Sequence, residues 1–260
     1  MATELDELRL KVAISCRILG MLDLVRGTTG HVSARVPNCE EMFVRCRGGD
    51  EYGLIFTGLH NIRRLDFDGK GPGLDSAHGA PNETPIHGEI YRHRPEAHAV
   101  VHAHPNYALL CGITKLEFRP FFGAYDPSAL DIIQKGIPVF PRSVTVTTRE
   151  LGADMLAAMG DRDVLLMQGH GITVHAPTVE RATTLAIRFD KMAKIAWELA
   201  QAGLKAYDIP EQDQAEYRRV PGRERPRTGW AALEGVETWD WKMYTRMLQV
   251  NNIGLPDDAG

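Results

Sequence analysis

Short apolar strands alternate with helices along the whole chain, and this alternation limits the fold more than any other feature. A first helix is predicted over 4–26 and a long one over 177–202, because apolar side chains recur there at intervals of three and four. Mixed strands and helices predict a layered α/β domain. Strands are predicted over 32–36, 43–46, 54–57, 62–67, 99–104, 137–140, 164–167 and 171–174, and shorter helices over 85–94, 107–112 and 149–159.

The remaining segments suggest how the chain is divided. Residues 68–81 are rich in Gly, Asp and Pro and predict a loop, whereas 207–229 combine charges with prolines and predict an extended arm. Aromatic residues return over 230–250, so we expect ordered structure there. We therefore predict a first domain over 1–205 and a C-terminal extension over 206–260, which packs on that domain or on a neighbouring subunit.

Composition narrows the class of partner. The 260 residues carry a formal net charge of -4, whereas a general nucleic-acid binder needs a concentrated basic surface. No apolar run reaches the roughly 18–20 residues that span a bilayer, and the acidic N-terminus does not resemble a signal peptide. We expect a cytoplasmic protein whose partner is a small molecule, with no nucleic acid and no membrane involved.

Two histidines at alternate positions form the sharpest local motif. His102 and His104 end an apolar segment, and Pro105 terminates the predicted strand. Alternate side chains of a strand point to the same face, so the two imidazoles are aimed at one point, as in a pair of ligands for one cation. Taken alone, the motif also fits two ordinary hydrogen-bonded histidines.

Two further motifs carry groups of the same kind. His170 lies between Gly169 and Gly171 directly after an apolar strand, where glycines let the backbone turn sharply and approach a ligand. Glu83 precedes a short helix and is a fourth ligand, an acid–base group, or simply a charge favoured at a helix N-terminus. His87 follows four residues later on the same helical face, either as a partner of the site or as a surface histidine.

Together these motifs resemble the class II aldolase/adducin family over about residues 8–203. Their order and spacing agree throughout, so the resemblance is specific. It is carried by Gly27-Thr28-Thr29-Gly30-His31-Val32-Ser33-Ala34-Arg35, by Phe56-Thr57-Gly58-Leu59, by Glu83 with the helix at 86–94, by the segment 99–104, and by Gly169-His170-Gly171 with the long helix that follows.

The resemblance implies a three-layer α/β/α sandwich with a mainly antiparallel central sheet. It implies that His102, His104 and His170 bind one divalent metal ion per subunit, and that Glu83 is a catalytic carboxylate that can also touch the metal. It further implies a homotetramer with sites at subunit interfaces, and it assigns Tyr125 as the counterpart of the family's mobile catalytic tyrosine. Three nitrogens and an oxygen suit Zn2+ first, and also Mn2+, Fe2+ or Co2+.

The sequence departs from the sugar-phosphate members of the family at two anion contacts. His31 replaces an asparagine of the glycine-rich loop, and Pro81 and Asn82 replace a pair of serines. Proline offers neither an N–H nor a hydroxyl to a phosphate. The remaining candidates for substrate contact, which suit a smaller anion such as a carboxylate, are Thr28, Thr29, Ser33, Thr57 and Gly58.

These departures favour decarboxylation over cleavage of a sugar phosphate. Some members of the family decarboxylate hydroxylated aromatic or heteroaromatic carboxylates, and we predict a metal-dependent carbon–carbon lyase of this kind, in which His31 orients a substrate carboxylate. One alternative is aldol cleavage of a non-phosphorylated hydroxyketone or hydroxy acid, with Tyr125 protonating the departing alkoxide. Another is an adducin-like interaction module without activity, which the presence of all three histidines and Glu83 argues against.

Overall fold

A seven-stranded sheet forms the centre of the protein. The computed structural model describes residues 3–49, 51–121, 126–134, 136–219 and 236–256. Within these, the strands are β1 (His31–Arg35), β2 (Glu41–Arg45), β3 (Arg47–Gly48), β4 (Ile62–Asp66), β5 (His78–Gly79), β6 (Ala99–Ala103), β7 (Val139–Phe140), β8 (Val164–Met167) and β9 (Gly171–Ala176).

The strand order of the large sheet is β4-β2-β1-β6-β9-β8-β7, and β3 pairs with β5 in a separate ribbon. Every neighbouring pair in the large sheet is antiparallel except β7 with β8. The prediction of a mainly antiparallel central sheet is therefore confirmed.

The described part of the chain contains eight helices. The first starts where the Thr3 side chain accepts the N–H of Asp6, a capping box that satisfies backbone donors at the helix end. The helices are α1 (Glu4–Met21), α2 (Thr84–His93), α3 (Asn106–Thr114), α4 (Pro127–Gln134), α5 (Arg149–Met159), α6 (Val179–Gln201), α7 (Glu211–Arg219) and α8 (Val236–Val250).

The alternation of side chains along the strands divides the core into two layers. Val32 and Val101 belong to a cluster with residues of α1, α3 and α6 on one face of the sheet. Val100 is the neighbour of Val101 on β6 and therefore points to the other face, where it belongs to a second cluster with residues of α2 and α5. Helices thus cover both faces, which confirms the three-layer α/β/α sandwich.

Three predicted segments need correction. Residues 54–57 are not a strand: Leu54–Phe56 form a 3-10 turn whose Ile55 backbone packs against Gly20, where an added Cβ would lie 2.5 Å from the Ile55 nitrogen. Within the predicted arm, Glu211–Arg219 is helical, because its Glu, Gln and Ala residues favour a helix and Pro210 precedes it. The predicted loop over 68–81 contains the short strand β5.

The C-terminal helix packs on the main core. Trp241, Tyr244 and Leu248 of α8 are buried in the same cluster as residues of α1 and α6. The division of the chain at residue 205 stays a prediction. Among the described residues no helix is both long and apolar enough to cross a membrane.

Candidate metal centre

The candidate site lies at one end of the sheet, where β1 begins, β6 ends and β9 begins. Antiparallel pairing brings these three ends together, since His31 lies opposite His102 and His102 lies opposite Thr173. All three side chains alternate with residues of the α1–α6 core, so they face α2. Strand register alone therefore places two histidines and a threonine side by side.

Four side chains converge there on one small volume. Donor atoms of Glu83, His102, His104 and His170 all lie within 4.8 Å of one another. His102 Nε2 is 2.9 Å from His104 Nε2 and 3.3 Å from Glu83 Oε2, and His170 Nε2 is 3.4 Å from Glu83 Oε1. We call these four residues the metal cluster.

The glycines beside His170 are needed for this approach. Gly169 has φ +65°, a left-handed conformation that L side chains rarely adopt, and a Cβ there would lie 2.4 Å from Ser143 Oγ. A Cβ on Gly171 would lie 2.2 Å from the Ala103 carbonyl oxygen and 2.8 Å from the His104 ring. The turn between β8 and β9 therefore carries His170 against the end of β6 only because both neighbours lack side chains.

Threonine hydroxyls hold the outer nitrogens of two cluster histidines. Thr29 Oγ1 donates its one proton to the Arg26 carbonyl, so it accepts from His104 Nδ1, 2.6 Å away. Thr173 Oγ1 donates to Met167 Sδ and likewise accepts from His102 Nδ1 at 3.3 Å. Both imidazoles are thereby held with Nδ1 protonated and Nε2 unprotonated towards the cluster, the form in which histidine binds a metal.

Glu83 occupies the N-cap position of α2 and is 7% exposed. Its Oε1 accepts the backbone N–H of Val146 at 3.0 Å. Burial would raise the pKa of this carboxyl, but His102 and His170 outweigh it and hold the pKa well below its usual range. Glu83 is therefore a carboxylate at neutral pH, and burial lowers the pKa of the neighbouring His104 to about 3, which keeps that imidazole neutral.

His31 flanks the metal cluster and starts a run of buried hydrogen bonds. Its ring stacks on His102 with centroids 4.9 Å apart, and its Nδ1 lies 2.6 Å from His87 Nε2. Ser33 Oγ lies 2.6 Å from His87 Nδ1 and 2.7 Å from the Tyr91 hydroxyl. We call His31, His87, Ser33 and Tyr91 the buried chain. Burial lowers the pKa of His31 well below its usual value and that of His87 to about 3, so neither ring is charged.

The other predicted contact residues lie in different surroundings. Thr28 is exposed, and its carbonyl accepts a long hydrogen bond from Arg45. Ser33 has no exposed surface and lies behind His31. The Thr57 carbonyl accepts from Arg17, and the Gly58 N–H donates to the Asn61 side chain, so this corner packs against α1. Tyr125 lies outside the described residues. The roles assigned to all of these residues stay predictions.

Sequence reasoning did not find Tyr91 or Thr173. Tyr91 had a signal, because Glu83, His87 and Tyr91 follow one another at intervals of four and so share one face of α2. Thr173 is a polar residue in the apolar strand β9. Its position opposite His102 depends on strand pairing, which the sequence alone does not reveal.

The donor set fits a divalent metal ion. Two of the three imidazoles have their outer nitrogens bound by hydroxyl acceptors, and a carboxylate stands beside all three. Three histidines with an adjacent carboxylate match the ligand types that Zn2+ and other divalent transition metals take in proteins. The grouping of these four residues agrees with the sequence prediction, although their role as ligands stays a proposal.

Known proteins resemble this chain over most of its length. A 3,4-dihydroxyphthalate decarboxylase from Arthrobacter keyseri is 40% identical over 222 residues, which cover 84% of this chain and 89% of that protein. A 3,4-dihydroxyphthalate decarboxylase from Terrabacter sp. (strain DBF63) is 38% identical over 206 residues, covering 78% of this chain and 86% of that protein.

The fold agrees with a solved structure of related architecture. An aldolase II superfamily protein from Pseudomonas syringae superimposes with a TM-score of 0.78 at 18% identity, covering 96% of this chain and 95% of the other. The profile of the Class II Aldolase and Adducin N-terminal domain family matches residues 11–197, which include the whole metal cluster. The chain therefore belongs to the class II aldolase and adducin family.

Proposed function

We propose that this protein is a metal-dependent carbon–carbon lyase that removes CO2 from a hydroxylated aromatic dicarboxylate of the 3,4-dihydroxyphthalate type. The observation that carries the proposal is the convergence of the metal cluster beside His31. Relatives at 38–40% identity that are 3,4-dihydroxyphthalate decarboxylases support the substrate class.

The metal cluster would hold one divalent ion per subunit, with His102, His104 and His170 as ligands and Glu83 as an additional oxygen ligand. Zn2+ is the first choice, and Mn2+, Fe2+ or Co2+ suit the same donors. When bound, the ion would supply Lewis acidity towards a substrate oxygen, which stabilises negative charge that develops there. The three neutral imidazoles would leave this positive charge undiminished, whereas the Glu83 carboxylate would reduce it until substrate takes its place.

Glu83 would hold and move the proton. It starts as a carboxylate, and a carboxylate beside the substrate can accept a proton from a substrate hydroxyl. The Val146 N–H fixes Oε1, so Oε2 is the oxygen better placed to carry that proton. The protonated carboxyl can then return the proton to the ring carbon.

The proposed reaction replaces one carboxylate of the ring by hydrogen. The bond between the ring carbon and the carboxylate breaks, CO2 leaves, and the bonding electron pair stays on the ring. That pair forms the new C–H bond with the proton from Glu83, and a proton from water restores the hydroxyl. One proton is consumed in the sum, which balances the lost negative charge.

His31 would bind a substrate carboxylate. It stacks on His102 at the edge of the metal cluster, and it is one of three positions at which this chain departs from the family's sugar-phosphate members. Pro81 and Asn82 replace the serines of those members, so fewer donors are available for a phosphate. Thr28, Thr29, Thr57 and Gly58 remain proposed substrate contacts from the family resemblance.

Assembly and location complete the proposal. We expect the protein to be cytoplasmic. The family resemblance implies a homotetramer with sites at subunit interfaces, and Tyr125 would take part in proton transfer there. Sedimentation equilibrium of the metal-loaded protein measures the number of subunits directly.

Product analysis tests the proposed activity. The metal-loaded protein is incubated with 3,4-dihydroxyphthalate, and CO2 and dihydroxybenzoate are measured, with His102→Ala as the inactive control. We expect both products in equal amounts from the wild type only. Aldehyde release from a hydroxyketone without CO2 release would support the aldolase alternative. Absence of both activities from a protein that binds no metal would support the adducin-like module.

A further inference from the structure

The buried chain ends at the Tyr91 hydroxyl, which can act only as the donor in its hydrogen bond to Ser33. Tyr91 is 2% exposed, and burial raises the pKa of its phenol, so the hydroxyl keeps its proton. In the described part of the chain, Ser33 Oγ is the side-chain acceptor within hydrogen-bond distance of that hydroxyl, at 2.7 Å. A buried O–H without an acceptor costs free energy, so Tyr91 donates to Ser33.

The direction of this first bond fixes all the others. Ser33 accepts from Tyr91 and therefore directs its own proton to His87 Nδ1, 2.6 Å away. His87 Nδ1 accepts this proton, so the one ring proton of His87 lies on Nε2 and is donated to His31 Nδ1 at 2.6 Å. Because His31 Nδ1 is thereby an acceptor, the proton of the His31 ring must lie on Nε2. The reverse order would leave the Tyr91 hydroxyl as an unpaired buried donor.

We infer that Tyr91, Ser33 and His87 are positioning residues that hold His31 in the tautomer protonated on Nε2. Nε2 has no hydrogen-bond partner among the described residues, and the ring lies against His102 at the edge of the metal cluster. An N–H in this position recognises a hydrogen-bond acceptor with negative charge, such as an aromatic carboxylate. The inference rests on the proposed function for its ligand, but the tautomer itself does not.

Ser33 acts inside the core and not as a direct substrate contact. Its place in the glycine-rich segment predicts contact with substrate, whereas its hydroxyl makes two hydrogen bonds inside the core. His31 and Ser33 alternate on β1, and His87 and Tyr91 lie one turn apart on α2. The buried chain therefore joins β1 to α2 behind the site. Through it, the direction of the Tyr91 hydrogen bond in the core fixes which nitrogen of His31 carries a proton on the substrate side.

Tyr91→Phe tests the inference because it removes the terminal donor and keeps the ring. The tautomer of His31 is read from long-range 15N–1H correlations in the zinc-loaded, 15N-histidine-labelled protein without substrate. We expect His31 to be protonated on Nε2 in the wild type and to become a mixture of both tautomers in Tyr91→Phe. Tyr244→Phe is the matched control, since its hydroxyl contacts Lys191 far from the site, and it should leave the spectrum unchanged.

Binding of phthalate, a dicarboxylate without hydroxyls, provides the second measurement. Apparent affinity falls in proportion to the fraction of the protein that has His31 protonated on Nε2. Tyr91→Phe and Ser33→Ala should therefore weaken phthalate binding about twofold to tenfold. Ser15→Ala controls for Ser33→Ala, because Ser15 is equally buried and bonds Thr183 elsewhere in the core. His87→Gln, whose amide can donate to His31 and accept from Ser33, should retain more affinity than His87→Leu.

The two measurements separate the outcomes. Wild-type His31 protonated on Nδ1, or a tautomer unchanged in Tyr91→Phe, overturns the inference whatever the enzyme's activity. The expected tautomers without any phthalate binding leave the positioning role intact and count against the proposed carboxylate ligand. Equal weakening of phthalate by Ser33→Ala and Ser15→Ala would show a general loss of packing and would also overturn it.

Discussion

The metal cluster and the buried chain both contain histidines, but the imidazoles have opposite roles in the two groups. In the metal cluster, His102 and His104 direct Nδ1 to threonine hydroxyls, and their Nε2 atoms lie 2.9 Å apart. In the buried chain, Nδ1 of His31 faces Nε2 of His87 at 2.6 Å. The partner of one ring nitrogen thus decides what the other nitrogen can do, either bind a cation or donate a proton.

The largest effect on activity is expected from loss of a proposed metal ligand. His104→Ala removes one of the three nitrogen donors and should abolish binding of the ion and lower kcat/KM about 10³-fold or more, since the lost charge stabilisation amounts to several kcal/mol. Metal content by mass spectrometry and CO2 release measure the two effects. His93→Ala, at the far end of α2, should change neither. Retention of one ion per chain by His104→Ala would contradict the assignment.

Glu83→Gln should separate proton transfer from metal binding. The amide keeps an oxygen for the Val146 N–H but cannot carry the proton, so kcat should fall about 10²- to 10⁴-fold. The ion should remain bound, because the three histidines are unchanged. Glu89→Gln is the control, since this buried carboxylate of α2 pairs with Arg92 and Arg149 instead. Unchanged kcat in Glu83→Gln would exclude it as the proton carrier.

Thr29→Val tests how the outer nitrogen of a ligand is controlled. The variant removes the acceptor of His104 Nδ1, so His104 loses its fixed tautomer, and metal affinity should fall about 10- to 100-fold. Competition with a chromogenic chelator measures this affinity. Thr28→Val changes the adjacent exposed residue and should keep the wild-type value. If both variants bind the ion equally well, the Thr29 hydroxyl does not act on the metal cluster.

The smallest effect concerns the stability of the buried chain at low pH. Burial lowers the pKa of His87 from 6.5 to about 3, with His102 lowering it further and Glu83 opposing. The unfolded state therefore takes up a proton below pH 6.5 that the folded state refuses. Holding His87 neutral therefore costs no stability above pH 6.5, and the free energy of unfolding falls as the pH drops from 6.5 towards 3.

Urea unfolding of the metal-free protein at about pH 7 and pH 5 checks this sign. Over the 1.5 pH units below the unfolded pKa, His87 alone should lower the free energy of unfolding by about 2 kcal/mol. His87→Gln lacks this ionisation and should lose less stability over the same interval. An identical loss in both proteins would show that His87 is not held neutral by the fold.

The two regions also differ in how far the sequence predicts them. The metal cluster lies in short motifs, His102-Ala103-His104 and Gly169-His170-Gly171, where local spacing already fixes the direction of the side chains. The layered fold follows equally from alternating strands and helices. The buried chain joins β1 to α2 across 58 residues, and its hydrogen bonds depend on how α2 packs on the sheet.

The errors have local physical causes as well. Residues 54–57 have the apolar composition of a strand, but close packing of Ile55 on Gly20 holds them in a 3-10 turn. The segment Glu211–Arg219 is polar and lies beside prolines, yet its helix-favouring residues form α7. In both cases tertiary packing or intrinsic propensity outweighs the pattern of apolar residues.

Removal and return of the metal tests the central claim most directly. CO2 release from 3,4-dihydroxyphthalate is measured with the purified protein, after exhaustive chelation, and after reloading with Zn2+ or Mn2+. We predict at least about a hundredfold loss on chelation and recovery that saturates at one ion per chain. Unchanged CO2 release by the fully metal-free protein would contradict a lyase that depends on His102, His104, His170 and Glu83.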